Sequence, residues 1–269
     1  MKIYKSGLLI LTVLILLLSS CQKVIQLDLS SSSPQIVIEG VIYDQPGPYK
    51  VKISKSISLE DGTNVYPAIT GALVIIHDNF GNTDTLKESS SGTYVTSTLQ
   101  GVPGCTYFLK VIAEEQTFTA SSTMFPVVKI DSIYFKKGSF GNDEQVTIDF
   151  MDPADTTNYY RLVEFVNGKQ QESFNVTSDR LNEGEKISYS LMSQGSDNKL
   201  ETDDNVTLWL ESIDEGVYEY FREAGREGGQ SASPANPTSN INNGALGYFN
   251  ACSVSKKSVI VPYVKATLK

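Results

Sequence analysis

The chemistry open to this chain is limited by its single histidine, His77. Asp78 follows it, and a His–Asp pair can orient a general base. Both residues come at the end of the apolar run 73–76, which is typical of a strand. Because adjacent strand residues point to opposite faces, the two side chains should diverge. We therefore expect His77 on the rim of a sheet and not in a catalytic pair.

After residue 20, serine and lysine occur at the Ser-x-x-Lys spacing of one class of hydrolases at Ser196–Lys199 and at Ser253–Lys256. The partner motifs of that class are missing from the sequence. So are the Gly-x-Ser-x-Gly elbow, the P-loop and the GxGxxG element. Chance explains both hits in a chain with this much Ser and Lys. The sequence predicts no catalytic residue and no enzyme.

Acidic residues at two turns are the candidates for calcium ligands. One group is Asp152 with Asp155, and the other is Glu201 with Asp203 and Asp204. Calcium takes roughly six to eight oxygens in a defined geometry, and neither stretch has EF-hand spacing. Solvated turns are the simpler interpretation. We expect no metal and no cofactor.

Cys105 and Cys252 are the two cysteines that follow Cys21. An oxidising envelope compartment would permit a disulfide between them. Nothing in the sequence places them close together, so a bridge and two buried thiols both stay open.

Trp209 is the one tryptophan, in the apolar stretch 206–210. It could stack on a sugar, but alternation and a helical pattern downstream favour packing beneath that helix.

The segment Gly228–Asn243, rich in Gly, Ser, Asn and Pro, predicts a long loop.

Long loops on rigid sheets often carry recognition, which makes this loop and the residues after it the candidate site. Its candidate residues are Asn236, Asn240, Asn243 and Tyr248. The alternative is a strap that covers a sheet edge and protects it from mispairing.

Length and composition narrow the class of protein. The chain has 269 residues, 40% of them hydrophobic, and a net charge of −9. That apolar fraction supports a packed core and excludes wholesale disorder. The acidic balance makes nucleic acid an unsuitable partner.

The first residues have the pattern of a targeting segment. Lys2 and Lys5 precede an apolar run, 8–18, which is too short to span a bilayer as a helix. Leu18-Ser19-Ser20-Cys21 then resembles a bacterial lipobox. The resemblance implies a signal peptide over residues 1–20 and acyl chains, such as palmitate, on Cys21. An ordinary secretory signal or an uncleaved anchor is the alternative.

Cleavage before Cys21 removes two lysines and no acids, which leaves a net charge of −11. So acidic a body should not lie flat on anionic lipid. We expect residues 21–34 to be a lipidated, Ser-rich tether that holds the body off the membrane.

From Gln35 onwards the hydrophobic period is two, which predicts strands. Short strands separated by turn residues favour an all-β fold of two antiparallel β-sandwiches, 35–126 and 127–269, with the boundary near Pro126. Within the second, residues 215–226 predict a short helix with one apolar stripe. Residues 248–254 and 259–264 would be its closing strands.

Several stretches resemble known families. The order Gly71-Ala72-Leu73-Val74-Ile75-Ile76, Asp78-Asn79-Phe80-Gly81, Gly92-Thr93-Tyr94 and Pro103-Gly104-Cys105-Thr106-Tyr107 resembles Ig-like and transthyretin-like modules. Cys21-Gln22-Lys23-Val24-Ile25, Ile36-Val37-Ile38-Glu39-Gly40 and the stretch 240–249 resemble a Bacteroidota lipoprotein family described as a domain of unknown function.

That resemblance implies an outer-membrane, lipid-anchored protein, often encoded beside a SusC-type TonB-dependent receptor, and it supplies no catalytic residues. We therefore expect a non-enzymatic accessory binding or docking subunit of a TonB-dependent nutrient-uptake complex. The alternative is a structural or adhesive module of the cell envelope that meets other envelope proteins. The sequence leaves open any small-molecule or glycan ligand and whether the protein faces the periplasm or the cell surface.

Overall fold

The computed structural model describes residues 33–57, 65–137, 144–172, 174–181, 183–191, 200–227 and 236–262. All the elements below belong to one compact unit, Pro34–Lys269. The first eight strands are β1 Ile36–Tyr43, β2 Lys50–Lys55, β3 Leu73–Asp78, β4 Thr83–Thr85, β5 Lys87–Ser90, β6 Thr93–Val95, β7 Thr106–Ala113 and β8 Gln116–Thr123. The rest are β9 Ile130–Lys137, β10 Glu144–Met151, β11 Tyr159–Val166, β12 Lys169–Gln170, β13 Asn175–Ser178, β14 Lys186–Ser190, β15 Asn205–Ile213, helix α1 Glu215–Glu227 and β16 Leu246–Ile260.

The described strands form three sheets. The largest has nine strands in the order β12-β11-β15-β16-β1-β2-β6-β5, with β13 also paired to β11. A four-stranded sheet has the order β4-β3-β7-β8, and a three-stranded sheet has the order β14-β10-β9. Each smaller sheet covers a different half of the large one. This all-β sandwich architecture confirms the fold class predicted from the sequence.

The first core lies between the four-stranded sheet and strands β1, β2 and β6 of the large sheet. Alternate residues of each strand point into it, such as Ile38, Val51 and Tyr94 from one side and Ile76 and Phe118 from the other. All five are at most 2% exposed. Burial of side chains of this size stabilises the fold by roughly 1.5–3 kcal/mol each, before the entropy cost of ordering them.

The second core lies between the three-stranded sheet and strands β11, β15 and β16. Ile148 and Phe150 point inward from β10, and Leu162 and Leu208 meet them from the large sheet. Helix α1 packs on the other side of the large sheet, where Val217 and Phe221 are buried. Among the described residues α1 is the one helix, and its bounds match the predicted segment within one residue.

Strand β16 joins the two halves of the molecule. It pairs antiparallel with β15 over residues 253–260 and parallel with β1 over residues 246–252. The segments 248–254 and 259–264, predicted as separate strands, are therefore continuous as far as Ile260. Gly247 permits the close approach, because a Cβ there would lie 2.1 Å from the carbonyl oxygen of Ile38. Alternation alone cannot reveal that a late strand returns to the first strand of the chain.

The first core therefore contains residues from the end of the chain. Ile241, Ala245, Phe249 and Ala251 all belong to it. The domain boundary near Pro126 stays a prediction, and the shared strand shows that the segments on its two sides fold onto one sheet.

Candidate functional site

Some predicted functional residues lie outside the described part of the chain. Cys21 and the whole segment 1–32 do, and so do Ser196–Lys199 and residues 228–235 of the predicted loop. In the described part, no helix has the length and apolar character needed to cross a membrane.

The described end of the predicted loop completes a strand edge. Residues 246–252 of β16 have β1 on one side, and β15 pairs with β16 only from residue 253 onwards. On that unpaired side Asn240 Nδ2 donates to the carbonyl of Phe249 at 2.8 Å, and the Phe249 N–H donates to Asn240 Oδ1 at 2.9 Å. Ser239 Oγ donates to Gly247 O at 2.8 Å, and Ala251 N–H donates to Ser122 Oγ at 2.8 Å. Side chains thus replace the missing neighbour strand.

The same segment also covers the edge strand β8 of the four-stranded sheet. Ile241 forms an isolated antiparallel bridge with Ala120. Asn242 N–H donates to Thr119 O at 2.8 Å, and Asn243 Nδ2 donates to Thr117 O at 3.1 Å. Of the four predicted recognition residues, Asn240 and Asn243 are therefore used in the strap that the sequence left as the alternative. Asn236 is exposed.

Tyr248, the fourth predicted residue, belongs to the face of the large sheet beneath α1. Its ring lies 5.1 Å from that of Tyr220 and 4.8 Å from that of Phe221, centroid to centroid. Burial raises its pKa above the ordinary tyrosine value, although the Arg161 guanidinium acts in the opposite direction. We call the side of the large sheet that lies beneath α1 the covered face. Tyr248 is one of its packing residues.

An ion pair that the sequence analysis missed lies at the centre of the covered face. Arg161 Nη1 donates to Glu211 Oε2 at 3.0 Å, across the β11–β15 register, and both side chains are buried. The guanidinium carbon lies 4.0 Å from the centre of the Phe221 ring on α1. Burial alone would lower the pKa of Arg161, but Glu211, Tyr248 and Tyr43 hold it above its usual value. The available signal was the presence of Arg161 and Glu211 within two mostly apolar strands, β11 and β15.

Several polar atoms of the covered face have no hydrogen-bond partner. They are Arg161 Nε, Glu211 Oε1 and both amide atoms of Asn250. Asn250 and Glu211 are fully buried. Buried water commonly completes such groups.

Tyr43 and Cys252 complete the covered face. Burial, reinforced by the negative charge of Glu211, raises the pKa of both groups well above their usual values. The Cys252 thiol is thus held protonated and unreactive.

The disulfide considered between Cys105 and Cys252 is not formed. Both residues are free and buried. Cys105 lies in the first core, whereas Cys252 belongs to the cluster beneath α1. The two thiols therefore occupy separate packed regions, which is the other alternative that the sequence left open.

His77 and Asp78 diverge as predicted. His77 is exposed and its ring lies edge-on to Phe108, 4.9 Å between centroids. Asp78 is buried and accepts hydrogen bonds from the N–H groups of Phe80 and Asn82 and from Asn82 Nδ2 at 2.7–2.9 Å. These bonds, which outweigh burial, lower the pKa of Asp78. The aspartate organises the β3–β4 turn and is not placed to orient His77.

His77 belongs to an uncovered surface that we call the open face, the outer side of the four-stranded sheet. Register places its residues in rows across β4, β3, β7 and β8. The members are Leu73, Ile75, His77, Thr83, Thr85, Phe108, Lys110, Ile112, Thr117, Thr119 and Ser121. Leu73 is 44% exposed and Phe108 is 38% exposed. Lys110 is its one formally charged residue, so the open face is apolar and hydroxyl-bearing on an acidic protein.

A polar network occupies the outer side of the three-stranded sheet. Asp149 is nearly buried and accepts hydrogen bonds from Ser188 Oγ at 2.5 Å, Ser132 Oγ at 3.1 Å and Tyr134 OH at 3.2 Å. Lys186 Nζ lies 2.8 Å from Asp149 Oδ2. Although burial alone would raise it, these partners lower the pKa of Asp149 to about 2. All the donors point at one carboxylate, so the network holds three strands together.

In each of the two acidic turns that the sequence analysis weighed as calcium candidates, one carboxylate bonds within the protein. Asp152 accepts from Tyr160 OH at 2.5 Å and from Gly184 N–H at 3.0 Å. Asp204 accepts from Glu201 N–H and from Asn167 Nδ2, both at 2.7 Å. In the described part of the chain no three His, Cys, Asp or Glu side chains are grouped to hold a metal ion.

Trp209 packs in the cluster that contains α1. Its ring lies 5.8 Å from that of Tyr43 and 4.7 Å from that of Phe165, between centroids. Lys256 Nζ lies 3.8 Å above the indole. Phe165 belongs to the adjacent strand β11, and Tyr43 belongs to β1, on the far side of β16. The ring and the lysine thus occupy surface of the indole on which a sugar could otherwise stack. Ser253, the partner of Lys256 in the Ser-x-x-Lys spacing, is buried on the other face of β16.

The chain thus folds as an all-β sandwich whose described polar clusters connect its own strands, and the outer side of its four-stranded sheet is exposed. The chain belongs to the family described as Domain of unknown function (DUF4249), which matches residues 22–258. No curated protein matches it. Among solved structures, the two fibronectin type-III domain segment from chicken tenascin is similar, with 14% identity and a TM-score of 0.22, over 67% of this chain and 90% of that one.

Proposed function

We propose that this protein is a lipid-anchored outer-membrane protein of Bacteroidota and a non-enzymatic docking subunit of a TonB-dependent nutrient-uptake complex. The lipobox-like Leu18-Ser19-Ser20-Cys21 supports the anchor. The resemblance to a lipoprotein family often encoded beside SusC-type receptors supports the partner.

The open face is the observation that carries the docking role. Leu73 and Phe108 leave apolar surface in water, Ile75 and Ile112 are half-buried, and serine and threonine hydroxyls surround them. Large exposed apolar patches rimmed by polar residues often mark protein–protein interaction sites. A nearly uncharged face avoids the desolvation cost of buried ions, so it suits a protein surface.

Site-specific crosslinking tests this role directly. A photoreactive amino acid at Phe108 should capture a TonB-dependent receptor in isolated outer membranes, with the partner identified by mass spectrometry. The matched control is the same amino acid at Ser89, an exposed strand residue on the other sheet. Equal capture from both positions, or none from Phe108, would rule out docking through the open face. Capture of other envelope proteins alone would favour the adhesive module.

The anchor has a separate test. Cys21→Ala should leave a chain without acyl groups that is either uncleaved or soluble, as measured by intact mass and membrane fractionation. Normal acylation and normal recovery in the outer membrane would refute the lipobox assignment, whatever the crosslinking shows.

A further inference from the structure

The first sandwich has a second outer surface, on the side of the large sheet that points away from the open face. Lys50 and Lys52 point outward from β2, because the residues between and beside them, Tyr49, Val51 and Ile53, are buried in the first core. Register places Lys87 of β5 in the same row as Lys50, two strands away. We call Lys50, Lys52 and Lys87 the lysine face.

The lysine face is a compact group of positive charges. Residues two apart on one strand are about 7 Å apart, and two strand spacings separate Lys50 from Lys87 by about 10 Å. All three lysines are exposed. None of them takes part in the ion pairs that the described residues form.

Helix α1 lies on the same side of the large sheet, over β11 and β16, and carries its own glutamates. Among the described residues of β1, β2, β6 and β5 that point to this side, one acid lies beside the lysines. Glu39 of β1 lies opposite Lys52 in the β1–β2 register and is exposed. The residues between the lysines, Thr93 and Val95, carry no charge. The surface is therefore net positive on a chain whose overall charge is −9.

We propose that the lysine face rests on the phosphate headgroups of anionic lipids in the membrane that holds the anchor. This inference rests on the proposed lipid anchor. Attraction between lysine and an anionic surface acts over about one Debye length, roughly 8 Å at physiological ionic strength. A local positive surface therefore decides which side of the body meets the lipid, even when the whole body is acidic.

The orientation explains how an acidic lipoprotein can dock a partner. With the lysine face on the headgroups, the open face on the opposite side of the first core points away from the bilayer. The sequence alone suggests a body held off the membrane on all sides. The two sheet faces instead give it one side suited to lipid and one suited to protein.

Lysine labelling distinguishes the orientations. The full acylated protein would be reconstituted into vesicles of phosphatidylcholine alone or with phosphatidylglycerol and treated with a membrane-impermeant amine reagent. We expect about threefold lower labelling of Lys50, Lys52 and Lys87 on the anionic vesicles at low salt, and recovery at high salt. Lys110 on the open face is the internal control and should label equally on both vesicles.

Equal labelling of the lysine face on both vesicles, or equal protection of Lys110, would overturn the proposal. Protection that requires an added receptor would overturn it as well, and would identify an acidic protein surface as the partner. If the chain is not acylated and does not stay on vesicles, the anchor itself fails and this inference fails with it.

A variant gives a second readout. Lys50→Gln/Lys52→Gln/Lys87→Gln should stay in the membrane through its acyl chains but lose crosslinks from a photoreactive anionic phospholipid to the β2 segment. Lys110→Gln, its matched control, should keep them. Unchanged crosslinking in the triple variant would refute a role for the lysine charges.

Discussion

The covered face and the open face are both outer surfaces of sheets, yet one buries charged side chains and the other exposes apolar ones. Beneath α1 the molecule buries a charged pair, Arg161 and Glu211. On the four-stranded sheet it leaves Leu73 and Phe108 in water. Burying charges and exposing apolar groups both cost free energy. The comparison shows that the buried charges are held in place by the fold, whereas the exposed apolar groups are not covered by it; we propose that a partner covers them.

Breaking the ion pair should have the largest effect. Arg161→Met leaves the fully buried Glu211 carboxylate without its partner, and the free energy of unfolding should fall by about 3–5 kcal/mol. Urea denaturation followed by Trp209 fluorescence measures it.

The double variant Arg161→Met/Glu211→Leu is its control. Because it removes both charges, most of the lost stability should return. If the single variant unfolds at the wild-type urea concentration, the pair does not stabilise the covered face.

Breaking the hydrogen bonds of the strap should have the second largest effect on stability. Asn240→Ala leaves the buried N–H and carbonyl of Phe249 without partners, which should reduce the free energy of unfolding by about 2–3 kcal/mol. Asn236→Ala, at an exposed position of the same segment, should change it by less than about 0.5 kcal/mol. If both variants change the free energy of unfolding by similarly small amounts, Asn240 does not stabilise the strand edge. The segment would then again be a candidate for recognition.

Asp149 is an intermediate case. It is a charged group on the outer side of the three-stranded sheet, which belongs neither to the covered face nor to the open face. Its folded pKa of about 2 lies below the unfolded value of 3.8, so its contribution is present above pH 4 and is lost as the pH falls towards 2. Asp149→Asn should cost on the order of 2 kcal/mol at pH 7 and little at pH 2. Thermal denaturation from pH 2 to 7 checks this, and a constant difference across that range would contradict it.

A substitution on the open face should change the stability of the protein least. Phe108→Ser removes an exposed ring and its contact with His77, so stability should change by about 1 kcal/mol or less. Crosslinking from a photoreactive residue at Leu73 to the receptor should nevertheless weaken clearly. A loss of several kcal/mol would show that Phe108 is a packing residue and would remove the contrast between the two faces.

Much of the fold could be predicted because alternation is a local property. The strand at β2 follows from Tyr49, Val51 and Ile53 alternating with lysines, and α1 from the apolar spacing of Val217 and Phe221. The divergence of His77 from Asp78 follows from the same rule. The candidate site was less accessible, since Asn240 looks like any loop asparagine until the unpaired edge of β16 lies beside it.

The sequence by itself determined the all-β class, the helix and the residues that face inward, because these depend on side chains a few positions apart. The tertiary structure alone decided that β16 pairs with both β1 and β15, that Arg161 meets Glu211 beneath a helix, and that the lysines stand opposite the open face. Those contacts join residues tens to hundreds of positions apart. Which of them form depends on the packing of whole sheets, and no local pattern encodes that packing.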